Sequence, residues 1–364
     1  MIDLRLKKIF IEIIKIEGLS GREKNVAKYI SNFLKKLNLN PIEDKSYLKT
    51  KSNTGNIICK VGNGGDYVLC SHMDTARSTQ GVKPIIKKDR IMSDGRTVLG
   101  VDNRAGISVL LYLVEKIIKE KASYKDFTLV FTTCEETTLG GSRSLELSKR
   151  IKRGYIFDSY QAPGKYINSS FGAAGFSINI WGKAAHSGIE PEKGIDALQI
   201  AVKALSKIKT GRLKDDTTIN FGKIEGGTAT NVVPDKIFLN GEVRSNTMEK
   251  VEKHISTISQ KFEEATKSLN GKMEFKWEWD FKPYRVSSNS QIILEIINAI
   301  TNANLEPIES ISKGGSDANT FNEKGIQSIN LGIGAQNPHS NDEFILLDDL
   351  QNTLNIAYEL VRKK

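Results

Sequence analysis

Hydrophobic positions along the chain switch between two spacings. The first segment, MIDLRLKKIFIEIIKIEGLS, repeats apolar side chains at helical intervals. Ser20 and Glu23 have the spacing of a capping box for a second helix over roughly 21–37, with Val26, Ile30 and Leu34 on one face. Short apolar runs then alternate with helical stretches. NIICKV, DYVLCS, FTLVFTT and GYIFDS have the pattern of buried strands, and GISVLLYLVEKIIKE that of a strongly apolar helix. Runs that are apolar on both faces, separated by helices, predict a mostly parallel sheet covered by helices, an α/β architecture.

Near residue 176 the pattern changes. FSINIWG alternates like a half-exposed strand, IDALQIAVKALSKI is amphipathic, and TTINFGKIEG and KIFLNGEVRS are strand-like. A helix over roughly 248–269 and the alternating MEFKWEWDF follow. This β-α-β-β-α-β order is the ferredoxin-like plan. Past Lys282-Pro283 the chain returns to helix, strand (SINLGIG) and a last helix over roughly 347–362. The pattern predicts a discontinuous larger α/β domain of residues 1–175 and 284–364, interrupted by a small α+β domain of residues 176–283.

Composition narrows the class. At 364 residues, 39% hydrophobic and 26% charged, the chain suits a globular protein of two domains. No apolar run approaches the roughly 20 residues that span a bilayer. The N-terminal mixture of basic and apolar residues contains acids and lacks a small-residue cleavage site, which predicts an amphipathic helix and a cytoplasmic protein. Cys59, Cys70 and Cys134 are far apart, and Cys70 and Cys134 end apolar runs, as small buried hydrophobes do. The net charge of +10 is spread among glutamates, without a basic run interleaved with aromatics, so no nucleic-acid partner is expected.

The chemistry lies in the histidines and in the carboxylates near strand ends. His72 follows DYVLC and precedes Asp74 by two residues, while His339 follows SINLGIG. Asp102, the pair Glu135-Glu136 and Asp158 join Asp74 as acids expected just past strands. Ligands bind at the carboxyl edge of an open α/β sheet. Imidazoles and acids gathered there call for cations to neutralise them. Imidazole plus carboxylate without thiolate suits zinc or a similar divalent ion. Adjacent glutamates point apart, so one can bind metal while the other takes a proton from a metal-bound water. Asp74 is spaced to accept the second ring N–H of His72. His254, among Glu and Lys on a helix, reads as a surface residue.

The ordered set SHMDT, GVDNRAG, CEETTLGGS, IFDS, GKAAHSG, GGTATNVVPD, GEVRS, KGGSDANTF and NPHSNDEF resembles the metallopeptidase family that contains peptidase T, carboxypeptidase G and acetylornithine deacetylase. The likeness is nearest to the peptidase T branch and covers almost the whole chain. It implies two Zn2+ per subunit, with cobalt or manganese as substitutes. His72 and Asp158 would hold one ion, Glu136 and His339 the other, and Asp102 would bridge them. Glu135 would be the general base acting on a water shared by the ions, with Asp74 behind His72. An aspartate at 158 resembles the aminopeptidase-like members.

The resemblance further implies that His186 acts across a homodimer built through the inserted domain. Arg244 and Asn231 would contact substrate, the arginine gripping a carboxylate. Gly314, Gly315 and Asp317 would shape a neighbouring loop, without individual roles. The implied activity is release of the N-terminal residue from short peptides, tripeptides included. The alternatives are an N-acyl amino acid deacylase or carboxypeptidase of the same family, and a catalytically inactive metal- or peptide-binding protein.

Overall fold

A computed structural model describes residues 2–363 and divides the chain into two compact units. One comprises residues 1–169, 285–312 and 316–364, and the other residues 170–284 with 313–315. The first junction therefore falls earlier than the 175/176 break expected from the pattern. The strand Gly172–Trp181 explains the shift, because all ten of its residues pair with Lys236–Ser245 of the second unit.

In the larger unit the strands Ile57–Val61, Phe127–Thr132, Tyr67–His72, Arg153–Ser159, Gln327–Gly332 and Lys165–Ser170 lie side by side in that order. The four central strands run parallel to one another, and the flanking Ile57–Val61 and Lys165–Ser170 run antiparallel. Every residue of Tyr67–His72 and Phe127–Thr132 is buried, as expected of strands covered on both faces. Helix Val101–Lys119 is buried along most of its length, and Leu4–Ile14 packs Leu6, Ile9, Phe10, Ile13 and Ile14 inward. Register places His72 opposite Thr132, and Cys70 opposite Ile156. The chain therefore leaves three neighbouring parallel strands on the same edge, next to His72, Glu135-Glu136 and Asp158.

The Ser20–Glu23 capping box does not form. The helix begins at Lys24, and Ser20 donates its hydroxyl to Asp74 instead. Glu23, fully buried, accepts from the Gly21 amide at 2.9 Å, the Cys134 amide at 2.9 Å and the Ser52 hydroxyl at 2.5 Å. Buried amides and hydroxyls elsewhere in the fold have the stronger claim on this carboxylate than a solvated helix end.

The smaller unit places Thr218–Gly226, Lys236–Ser245, Gly172–Trp181 and Lys272–Phe281 in that spatial order, each pair antiparallel. Helices Ala197–Leu205 and Met248–Ser268 cover one face, burying Phe176, Ile178, Ile200, Leu239, Ile258 and Phe262 between helices and sheet. This is the expected ferredoxin-like arrangement. Phe262 has no exposed surface, and its ring centroid lies 6.1 Å from that of Phe221. Phe262→Ala should lower the unfolding free energy by about 3–5 kcal/mol through lost burial and a cavity. Urea unfolding followed by circular dichroism measures this, and a change below about 1 kcal/mol would contradict the packing described.

Candidate metal centre

The two sets of acids and imidazoles expected to converge do so in the larger unit. His72, Asp102 and Asp158 form one set, and Asp102, Glu136 and His339 the other, with the potential ligand atoms of each lying within 4.8 Å of one another. Asp102 belongs to both. Its Oδ1 lies 3.0 Å from His72 Nε2 and its Oδ2 lies 3.3 Å from His339 Nε2. His72 Nε2 is also 3.0 Å from Asp158 Oδ1, and His339 Nε2 is 3.0 Å from Glu136 Oε1. Two ligand atoms on one tetrahedral zinc, each about 2.0–2.1 Å from it, lie roughly 3.4 Å apart. The spacing and the oxygen–nitrogen donor set therefore fit a pair of divalent cations sharing one carboxylate.

Several of these candidate ligands are held from behind. His72 closes its strand, and its Nδ1 faces the Asp74 carbonyl at 3.1 Å and Asp74 Oδ1 at 3.4 Å. The fully buried Asp74 carboxylate also accepts the amides of Glu135 and Glu136, each at 3.1 Å, and the Ser20 hydroxyl. Together with the Glu23 bond to the Cys134 amide, three successive N–H groups are gripped by two buried acids. That grip fixes the turn carrying Glu135 and Glu136, whose residue Cys134 adopts a left-handed φ of 51°. Asp158 receives the Asn103 side-chain amide at 2.9 Å, and Asn103 also donates to the Phe157 carbonyl at 2.7 Å.

Asp102 does not sit just past a strand, as the pattern suggested. It lies at the start of helix Val101–Lys119, where Glu343 accepts its amide at 3.1 Å and that of Gly100 at 2.6 Å. Asp158 lies within its strand rather than beyond it. Behind the cluster Arg104, with no exposed surface, donates to the carbonyls of Met73 and Ile16 and is coupled to Asp74, Glu17, Glu23 and Glu343. Gly106 allows this helix to sit close to the neighbouring strands. A Cβ there would lie 2.5 Å from the Phe157 carbonyl oxygen and 2.6 Å from the Ser71 hydroxyl.

Burial opposes charge throughout the cluster, and the neighbours decide the outcome. Burial alone would strip the proton from His72, but Asp158, Asp102 and Asp74 hold the ring charged well above its ordinary range. His339 is pushed up to about 10, chiefly by Asp102 and Glu136. Burial, and then the charge of Asp158, raise the Glu135 carboxyl well above the usual carboxylate range. Burial likewise raises Glu136, with Asp102 adding to it, and raises Asp158 despite His72. Asp102 is the exception, because the two imidazoles outweigh its burial and lower it. A nearby cation inverts this logic and draws such acids back to the charged form.

Asp317, unassigned in the sequence reading, is buried beneath the cluster. Its Oδ2 accepts the Thr132 hydroxyl at 2.5 Å and lies 3.9 Å from Cys70 Sγ, and burial moves the group up to about 6. All three cysteines are free and buried.

The remaining expected site residues lie in the smaller unit. His186 is exposed, with its Nδ1 accepting the Gly188 amide at 3.2 Å. Asn231 is exposed too, and its carbonyl accepts the Ser187 amide at 3.0 Å, tying the two loops together. Arg244 is not free, because its Nε and Nη2 each donate to Glu242 at 3.0 Å. His254 is partly shielded and faces Asp215 at 3.4 Å, a partner not foreseen. Sequence reading missed Glu23, Arg104, Asn103 and Glu343 as supports, although GVDNRAG and NPHSNDEF carry three of them. Their signal is a charged or amide side chain inside an otherwise apolar motif.

Comparison with known proteins places this geometry in a family. Residues 168–270 match the peptidase dimerisation domain of the M20 peptidases. The chain is 32% identical to the uncharacterized protein YqjE of Bacillus subtilis over 364 residues, covering 99% of this chain and 98% of that one. It superposes on the crystal structure of a tripeptidase from Staphylococcus aureus with a TM-score of 0.94 and 30% identity, covering 100% and 98% of the two chains. The aminopeptidase PepT of Bacillus cereus gives a TM-score of 0.91 and 30% identity, covering 99% and 98%. With full-length identity above 30% and the shared dimerisation domain, the chain belongs to the M20 peptidase family, on its peptidase T-like branch.

Proposed function

We propose that this chain is a two-zinc aminopeptidase that hydrolyses the first peptide bond of short peptides, tripeptides among them. The observation that carries this reading is the sharing of Asp102 between two sets of ligands, each completed by one imidazole and one further carboxylate. His72 and Asp158 would hold the first ion, Glu136 and His339 the second. When bound, such ions polarise a carbonyl oxygen and make water nucleophilic near neutral pH.

The chain's own residues supply the rest. Glu135 takes a proton from the attacking water and delivers it to the departing amine nitrogen. Its amide is held by Asp74 at 3.1 Å, which keeps the carboxyl beside the candidate ligands. Asp74 holds the Glu135 amide and the His72 ring in one frame, so base and ligand keep their relative position. His186 stabilises the developing oxyanion from the partner of a homodimer, a reading supported by the match to a dimerisation domain. Arg244 and Asn231 contact the substrate. Three unpaired, buried thiols support action in the cytoplasm.

Purified protein is expected to bind about two divalent ions per chain and to lose activity to a chelator. Metal analysis of Asp102→Asn should show both sites weakened, and a variant that keeps full occupancy would sink the shared-ligand assignment. Glu135→Gln should cut kcat by about 10²–10⁴-fold while metal content stays unchanged. Turnover at the wild-type rate would remove Glu135 from proton transfer. A panel of tripeptides, dipeptides, N-acyl amino acids and N-blocked tripeptides separates the rival activities. The proposed enzyme cleaves free tripeptides and rejects blocked amines, and a preference for acylated substrates would establish the deacylase instead.

A further inference from the structure

Resting on the peptide hydrolysis proposed above, we infer that Arg77 is a specificity residue that reads a carboxylate on the substrate. Arg77 follows the His72–Asp74 segment on an exposed bend, and its Nη1 donates to the carbonyl of His339 at 3.2 Å. It thus touches the backbone of a residue that completes the second ligand set. Among the described residues it pairs with no carboxylate, although the cluster beside it is rich in acids. One of its five N–H donors is engaged, and the residue is exposed.

The stem of this arginine is fixed at both ends. Before it, the Thr75 amide donates to Gly18 at 3.0 Å and the Ala76 amide to Glu136 Oε1 at 3.2 Å. After it, the Thr79 amide donates to Glu17 at 2.9 Å. The Thr75 hydroxyl donates to the Arg77 carbonyl itself at 2.8 Å. A guanidinium on a backbone held this closely loses less freedom on binding than one on a mobile loop, which favours recognition of a planar anion.

Electrostatics points the same way. Two divalent cations would be balanced by the four carboxylates of Asp102, Glu135, Glu136 and Asp158. Arg77 then adds an unbalanced positive charge beside the site, and an anionic group of the substrate is its complement. A short peptide offers two such groups, its C-terminal carboxylate and an acidic side chain. Arg244, the other arginine considered for this task, has two of its donors committed to Glu242.

The test is steady-state kinetics on the zinc-loaded full chain, wild type and Arg77→Gln, with three substrates. These are trialanine, its C-terminal amide, and the same amide with one alanine replaced by aspartate. The wild type should favour at least one carboxylate-bearing peptide over the neutral amide by about tenfold in kcat/KM. In Arg77→Gln that preference should collapse through KM, with kcat changing less than about twofold. Arg77→Lys should restore part of it, which a purely structural role would not predict. Preference for trialanine identifies the terminal carboxylate as the group read, and preference for the aspartyl amide identifies the side chain. If wild type and Arg77→Gln discriminate equally, the inference fails while peptide hydrolysis stands. If the wild type cleaves none of the three peptides, both fail together.

Discussion

The structure depends on the neutralisation of buried carboxylates, and Arg104 is where the protein supplies it. A fully buried guanidinium is costly unless acids surround it. Here the coupled acids are Asp74, Glu17, Glu23 and Glu343. Each of the four holds backbone amides near the ligand cluster, at Glu135 and Glu136, at Thr79, at Cys134, and at Gly100 and Asp102. One cation thereby faces four carboxyl groups, and those groups fix the loops that carry the candidate ligands. Burial lowers the proton affinity of Arg104 to about 10, still far above neutrality, so the charge remains.

A metal pair bound to such a frame meets donors already in place. The carbonyl and carboxylate of Asp74 both face His72 Nδ1, leaving Nε2 aimed at Asp102 and Asp158. Supports of this kind orient ligands and set their basicity. The same acid grips the amide of Glu135, so the proposed proton-transfer group and the candidate ligand imidazole share one anchor.

Much of this was legible in the chain. Apolar runs such as DYVLCS and FTLVFTT announced buried strands, and the switch to alternation near residue 176 announced the second unit. His72, Asp102, Glu136, Asp158 and His339 were nameable from the ordered motifs that resemble the metallopeptidase family, whereas the residue types alone marked only imidazoles and acids expected near strand ends. The supports were harder to read. Ser20 and Glu23 carry the spacing of a helix cap, yet their partners are 54 and 111 residues away, at Asp74 and Cys134. Local rules reward the nearest unsatisfied amide, whereas a folded interior rewards the most deeply buried one. Arg244 shows the same limit, since its spacing to Glu242 says nothing about which pairing the strand will adopt.

The place of Gln327–Gly332 has a consequence for how activity arises. This strand is among the last to emerge during synthesis, yet it inserts between Arg153–Ser159 and Lys165–Ser170 rather than at a rim. His339 and Glu343 follow it directly. Until the ribosome has delivered this segment, the nascent polypeptide lacks an interior strand of its sheet, one candidate ligand imidazole and the acid that holds Asp102. The candidate site is complete only once translation has passed this point.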